Sequence, residues 1–186
     1  MKAKTALVPI AHGCEEIEAV TLIDVLRRAG VEVTVASVAP GATVTGAHGL
    51  RITADTQIAE VRQKEFDLIA LPGGLPGAEH LRDSAELVTM LHQQERRGAL
   101  LGAICASPGV VLATHGLIGQ HKATAYPGFE QNFPPGGAQA TRVVCDGNLI
   151  TSRGPGTALE FALALVDALC GCETAEKLAA GMLVGR

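Results

Sequence analysis

Hydrophobic residues in this chain fall in short unbroken blocks, separated by stretches in which they recur with helical spacing. The first block, Thr5–Ile10, has the length and flanks of a buried strand. Ala11-His12-Gly13-Cys14 follows as a turn, and over residues 15–29 the spacing becomes helical, with Ala19, Leu22, Ile23 and Leu26 on one face. Glu15, Glu16 and Glu18 crowd the first turn, and Arg27 and Arg28 sit in the last, as the helix dipole favours. Residues 31–38 are β-branched and strand-like, so the opening reads as β-α-β, which predicts a parallel sheet with a right-handed crossover.

The rhythm then breaks. Residues 43–45 and 50–53 are short alternating pieces among Gly41, Gly46 and Gly49, which predicts a small antiparallel insertion. Residues 66–71 are the next buried strand, closed by Pro72-Gly73-Gly74. Asp83 with Glu86 predicts a capping box opening a helix that runs to Arg97. An apolar strand over 98–104 ends at Cys105, and a helix is expected over 106–114, with Pro108 in its first turn. Residues 123–126 read as a short strand and 127–137 as a loop. Residues 142–145 and 148–151 flank Asp146-Gly147 as a hairpin. Ala158, Ala162, Leu165 and Leu169 mark a helix, and 174–180 a last one. The expectation is one domain over 1–186, an α/β three-layer sandwich with a mostly parallel sheet and helices on both faces.

Composition narrows the partners. The chain has 186 residues, a net charge of −4 and 3% aromatics, which leaves no electrostatic or stacking footprint for nucleic acid. Lys2 and Lys4 precede an apolar run too short for a signal-peptide core, so no membrane association is expected and cytoplasm is the default. Cys14, Cys105, Cys145, Cys170 and Cys172 show no disulfide-framework spacing and read as reduced thiols. No metal-ligand spacing stands out along the chain, and no cofactor is expected.

Chemistry is expected where strands end. Cys105 stands at a strand-to-helix turn, a position that lifts a sulfur out of the sheet and sets it against free N–H groups favouring negative charge. A nucleophile and an inert packing cysteine both fit that position. Gly73 and Gly74 let backbone approach a ligand, and the Gly74 and Ala106 N–H groups are candidates for an oxyanion hole. Glu18, one turn into the first helix, leans back toward the strand ends. Beside a thiolate its carboxyl would be pushed up and would donate a hydrogen bond to sulfur. Glu15 and Glu16 read as a solvated first turn. His12, His48, His80, His92, His115 and His121 are scattered, and none follows the cysteine as a base would.

Four motifs then stand in order: Ala11-His12-Gly13-Cys14-Glu15-Glu16-Ile17-Glu18, Leu71-Pro72-Gly73-Gly74, Ala103-Ile104-Cys105-Ala106, and Thr151-Ser152-Arg153-Gly154-Pro155-Gly156-Thr157. With them the chain resembles the ThiJ/PfpI superfamily, in its DJ-one branch, over practically its whole length. The resemblance implies a flavodoxin-like sandwich, a homodimer and a reactive Cys105 on a nucleophile elbow. It implies Glu18 as the protonated acid against the thiolate, with Gly74 and Ala106 as backbone donors. It implies activity on reactive α-oxoaldehydes, either glutathione-independent conversion of methylglyoxal to lactate or deglycation of proteins and nucleotides. Oxidative-stress sensing through a Cys105 sulfinate and holdase chaperone activity are the alternative. The protease branch of the superfamily places His after the cysteine, so Ala106 argues against a peptidase. Tyr126 stands where the branch often has His, and His48 where it often has Arg. That leaves Arg153 as the main cation of a substrate pocket formed with Gly73, Tyr126 and His48. Cys14 stands where the branch often has a small residue and is a candidate resolving thiol.

Overall fold

The computed structural model describes residues 3–185; Lys2 lies outside them. The chain opens with β1 (Thr5–Ile10), α1 (Glu16–Arg28) and β2 (Glu32–Ser37), and β2 pairs with β1 in parallel from Thr5 opposite Glu32 to Ile10 opposite Ser37. β3 (Thr43–Thr45) and β4 (Arg51–Thr53) form the expected antiparallel insertion as a separate two-stranded sheet. β5 (Thr56–Gln57), α2 (Ile58–Val61), β6 (Leu68–Leu71), α3 (Gly77–Asp83), α4 (Ala85–Arg96) and β7 (Leu100–Ile104) follow. The chain closes with β8 (Val143–Asp146), β9 (Leu149–Ser152), α5 (Ala158–Cys170) and α6 (Cys172–Gly181).

The main sheet runs β5-β2-β1-β6-β7-β9-β8, parallel except where β8 meets β9. Its central order is the flavodoxin-like one, and winding reverses between β1 and β6. The crevice outside the carboxyl ends of those two strands is therefore where a ligand site is expected. Strand alternation builds the two cores. Ala6, Val8, Ile10, Leu68 and Ala70 pack with Leu22, Val25 and Leu26 of α1 and Phe161 and Leu165 of α5. Leu7, Ile69, Leu71 and Leu101 face Leu81 of α3 and Leu87 and Leu91 of α4. Each such buried side chain contributes roughly 1.5–3 kcal/mol, so the strand ends are fixed on both sides. No helix among the described residues is long and apolar enough to cross a membrane.

Four local expectations are corrected. The helix expected from Asp83 to Arg97 is α4, and α3 precedes it as a separate short helix, with Ser84 extended between the two. Ser84 Oγ, not Asp83, caps α4, accepting the Leu87 N–H at 3.4 Å, while Asp83 pairs with Arg82 at 2.7 Å. The segment after Cys105 is a π-helix, Pro108–Ala113, rather than an α-helix over 106–114. Residues 123–126 form one bridge, Ala123 to Ala138, not a strand; the Thr124 N–H donates to Thr151 Oγ1 and the Tyr126 N–H to the Cys105 carbonyl. The β8–β9 turn is Gly147-Asn148, one residue later than expected, since Asp146 pairs with Leu149.

Candidate active site

Three strand ends converge on Cys105. β7 delivers it at φ +64°, a left-handed backbone that costs a non-glycine residue of order 1 kcal/mol or more. Neighbours on both sides hold it there. The Cys105 N–H donates to the Ser152 carbonyl at 3.0 Å, and its own carbonyl accepts the Tyr126 N–H at 2.8 Å. Ser107, fully buried, donates its hydroxyl to the Pro72 carbonyl and ties the elbow to the end of β6. Ser152 and Thr157 share a hydroxyl hydrogen bond at 2.6 Å, which fixes the segment that receives the Cys105 N–H. The thiol itself is half-buried.

The carboxyl that meets it comes from α1. Glu18 is fully buried, and its Oε2 accepts the Gly73 N–H at 2.7 Å. Its Oε1 has no hydrogen-bond partner, and the carboxyl lies close enough to the Cys105 thiol for each to shift the other's titration. Gly73 is required by this approach, because a Cβ there would lie 2.6 Å from Cys105 Cβ and 2.9 Å from Glu18 Oε2. The Gly74 and Ala106 N–H groups both point at the sulfur and favour negative charge on it. These five residues therefore gather as the sequence predicts.

Burial raises both acids of the pair. Burial pushes the Glu18 carboxyl up to about 7, against the Gly73 N–H and the thiol, which pull it down. Burial and then the neighbouring Glu18 charge push the Cys105 thiol up to about 12, against the two backbone donors. Desolvation thus opposes the ionised sulfur that the Gly74 and Ala106 N–H groups favour. Two acids in one dry crevice do not both ionise near neutrality, so they act as a pair. Once the first proton has left, the pair keeps one proton between the two groups.

Around this centre the expected pocket residues divide. Tyr126 is half-exposed; its ring lies over Gly154 and edge-on to Phe129, with centroids 6.3 Å apart. Arg153 donates to the Ala140 carbonyl at 2.9 Å. His48 is held away by carboxylates, its Nδ1 lying 3.0 Å from Glu16 Oε2 and 3.5 Å from Glu15 Oε2. Glu15 and Glu16 are thus not a solvated first turn but buried, covered by the loop between β3 and β4. Nothing in the helical periodicity signals that cover. Cys14 is fully buried and its thiol is pushed up by burial, which works against a resolving role.

Known proteins resemble this chain over nearly its whole length. The model of the DJ-1/PfpI family matches residues 4–168. The chain belongs to the DJ-1/PfpI family. Protein dj-1beta of Drosophila melanogaster is 44% identical over 184 residues, covering 98% of each chain. Protein DJ-1 homolog A of Arabidopsis thaliana is 45% identical over 97% of this chain, which spans about half (47%) of that longer relative. The structure of oxidized Toxoplasma gondii DJ-1 superposes with a TM-score of 0.97 at 49% identity, covering 99% of this chain and 100% of that one. A Caenorhabditis elegans family member named glutathione-independent glyoxalase DJR-1.2 is 38% identical over 94% of each chain.

Proposed function

We propose that this chain is a cysteine-dependent enzyme acting on reactive α-oxoaldehydes, converting methylglyoxal to lactate without glutathione and removing early aldehyde adducts from proteins and nucleotides. The observation that carries the reading is a half-exposed thiol on a strained elbow with a buried carboxyl set against it. The worm relative's name supports the same chemistry.

In the form holding one proton, Glu18 accepts the thiol proton as sulfur adds to the aldehyde carbon, giving a hemithioacetal. The Gly74 and Ala106 N–H groups hold the developing oxyanion, which takes the proton from Glu18 and leaves the carboxylate free to act as a base. Glu18 moves the C1 proton of the adduct to C2, by way of the enediol, leaving a lactoyl thioester on Cys105. Water hydrolyses it to lactate and restores the thiol, so the sum is methylglyoxal plus water. Neither a cofactor nor a peptidase-type histidine enters these steps. Ile17 and Val20, apolar and exposed on α1, support the homodimer the resemblance implies. Small aldehydes and their adducts, rather than nucleic acid or membrane, are the partners, in a cytoplasmic setting.

The test is lactate release from methylglyoxal by purified protein. Cys105→Ala abolishes it; near-wild-type turnover in that variant removes the mechanism. A second reading, a stress sensor and holdase in which Cys105 becomes a sulfinate, is favoured by the thiol's partial exposure and by the oxidized state named for the Toxoplasma relative. Stoichiometric sulfinate after peroxide, with no lactate turnover, selects it.

A further inference from the structure

At the start of α1, two carboxylates meet an imidazole from the loop between β3 and β4. Glu15 and Glu16 have side chains only 10% and 9% exposed. Each gives one oxygen to backbone donors: Glu15 Oε1 to the Ile17 N–H at 3.3 Å, Glu16 Oε1 to the N–H groups of His48 at 2.6 Å and Leu50 at 3.3 Å. Each turns its other oxygen toward His48 Nδ1. The three atoms lie within 4.8 Å of one another. Gly46 makes room, since a Cβ there would sit 2.5 Å from the Glu16 carboxyl.

We propose that Glu15, Glu16 and His48 form a binding site for a divalent first-row transition cation of the zinc class. Zinc bonds of about 2.0–2.2 Å place tetrahedral ligand atoms about 3.4 Å apart. The separations from His48 Nδ1, 3.0 Å and 3.5 Å, bracket that spacing. Charge matches as well: two carboxylates and a neutral imidazole offset a dication, whereas without one, two nearly buried carboxylates face each other across a single titratable ring. The imidazole nitrogen selects zinc-like ions over magnesium and calcium, which favour oxygen. The backbone donors on both Oε1 atoms supply the outer shell that orients such ligands. The His48 side chain is 74% exposed, so solvent reaches the site from the ring's side. The site is independent of the aldehyde reading.

The full chain, kept reduced, is titrated with Zn2+ by calorimetry and with Co2+ by absorption. One ion per chain is expected, with visible ligand-field bands and no near-ultraviolet thiolate charge-transfer band. His48→Ala, which removes an exposed ring and leaves the fold intact by circular dichroism, lowers the affinity at least about tenfold. Glu16→Gln keeps an acceptor for the two N–H groups and gives the same loss. Cys105→Ser binds as the wild type does. No binding by the wild type, or binding unchanged in His48→Ala, overturns the site. A thiolate band that disappears in Cys105→Ser overturns it as well.

Discussion

Glu18→Gln isolates the cost of burying an acid against the thiol. The amide keeps the shape and an acceptor for the Gly73 N–H, whose bond to Glu18 is 2.7 Å, but cannot ionise. In the folded chain Glu18 is raised from 4.5 to about 7. Between those values the native state holds a proton that the unfolded chain has released, so the wild type loses stability as pH rises. At about 1.4 kcal/mol per pH unit, the loss from this one group reaches about 3 kcal/mol once pH exceeds the folded value. Below 4.5 both states are protonated and the penalty is absent. Urea unfolding of wild type and variant at fixed concentration, from pH 4 to 8, reads the difference, in which other titrating groups largely cancel. The variant should gain relative to wild type by about 3 kcal/mol across that window, with most of the change between pH 5 and 7. A difference that stays flat with pH, or changes in the opposite direction, refutes the burial argument. It would also remove the basis for placing one shared proton on the pair.

Two further substitutions test the frame around the site. Gly74→Ala combines φ +84° with a Cβ 2.3 Å from the Glu15 N, a clash with backbone that no rotamer relieves. It should cost about 2–4 kcal/mol in urea unfolding, and a loss under 0.5 kcal/mol would show that the loop yields freely. Ser84→Ala removes the cap of α4; its 3.4 Å contact places the expected loss near the low end, about 0.5–1 kcal/mol. No change there would mean that packing alone sets the start of α4.

The opening β-α-β unit was legible because strand and helix periods are local. Ala19, Leu22 and Leu26 mark one face of α1 whatever they pack against, and the apolar run of β1 has strand length on its own. The same locality fixed the motifs around Glu18, Gly73 and Cys105, which meet because their strands β1, β6 and β7 are neighbours in the sheet. Where the expectation failed, local backbone geometry or a distant segment decided the outcome. Ser84 rather than Asp83 became the cap because the chain leaves helical geometry there. Glu15 and Glu16 became buried because the β3–β4 loop, some thirty residues on, folds over them and supplies N–H donors.

By itself, then, the sequence determined the alternating architecture, the parallel sheet and which side chains stand at its carboxyl edge, since hydrophobic period and turn chemistry act over a few residues. Tertiary structure alone decided the energetics at that edge. Whether a thiol or a carboxyl gives up its proton depends on how much water the crevice excludes, and the pairing of His48 with Glu15 and Glu16 depends on a contact across 32 residues. Desolvation and charge pairing are set by distances in space, and spacing along the chain does not encode them.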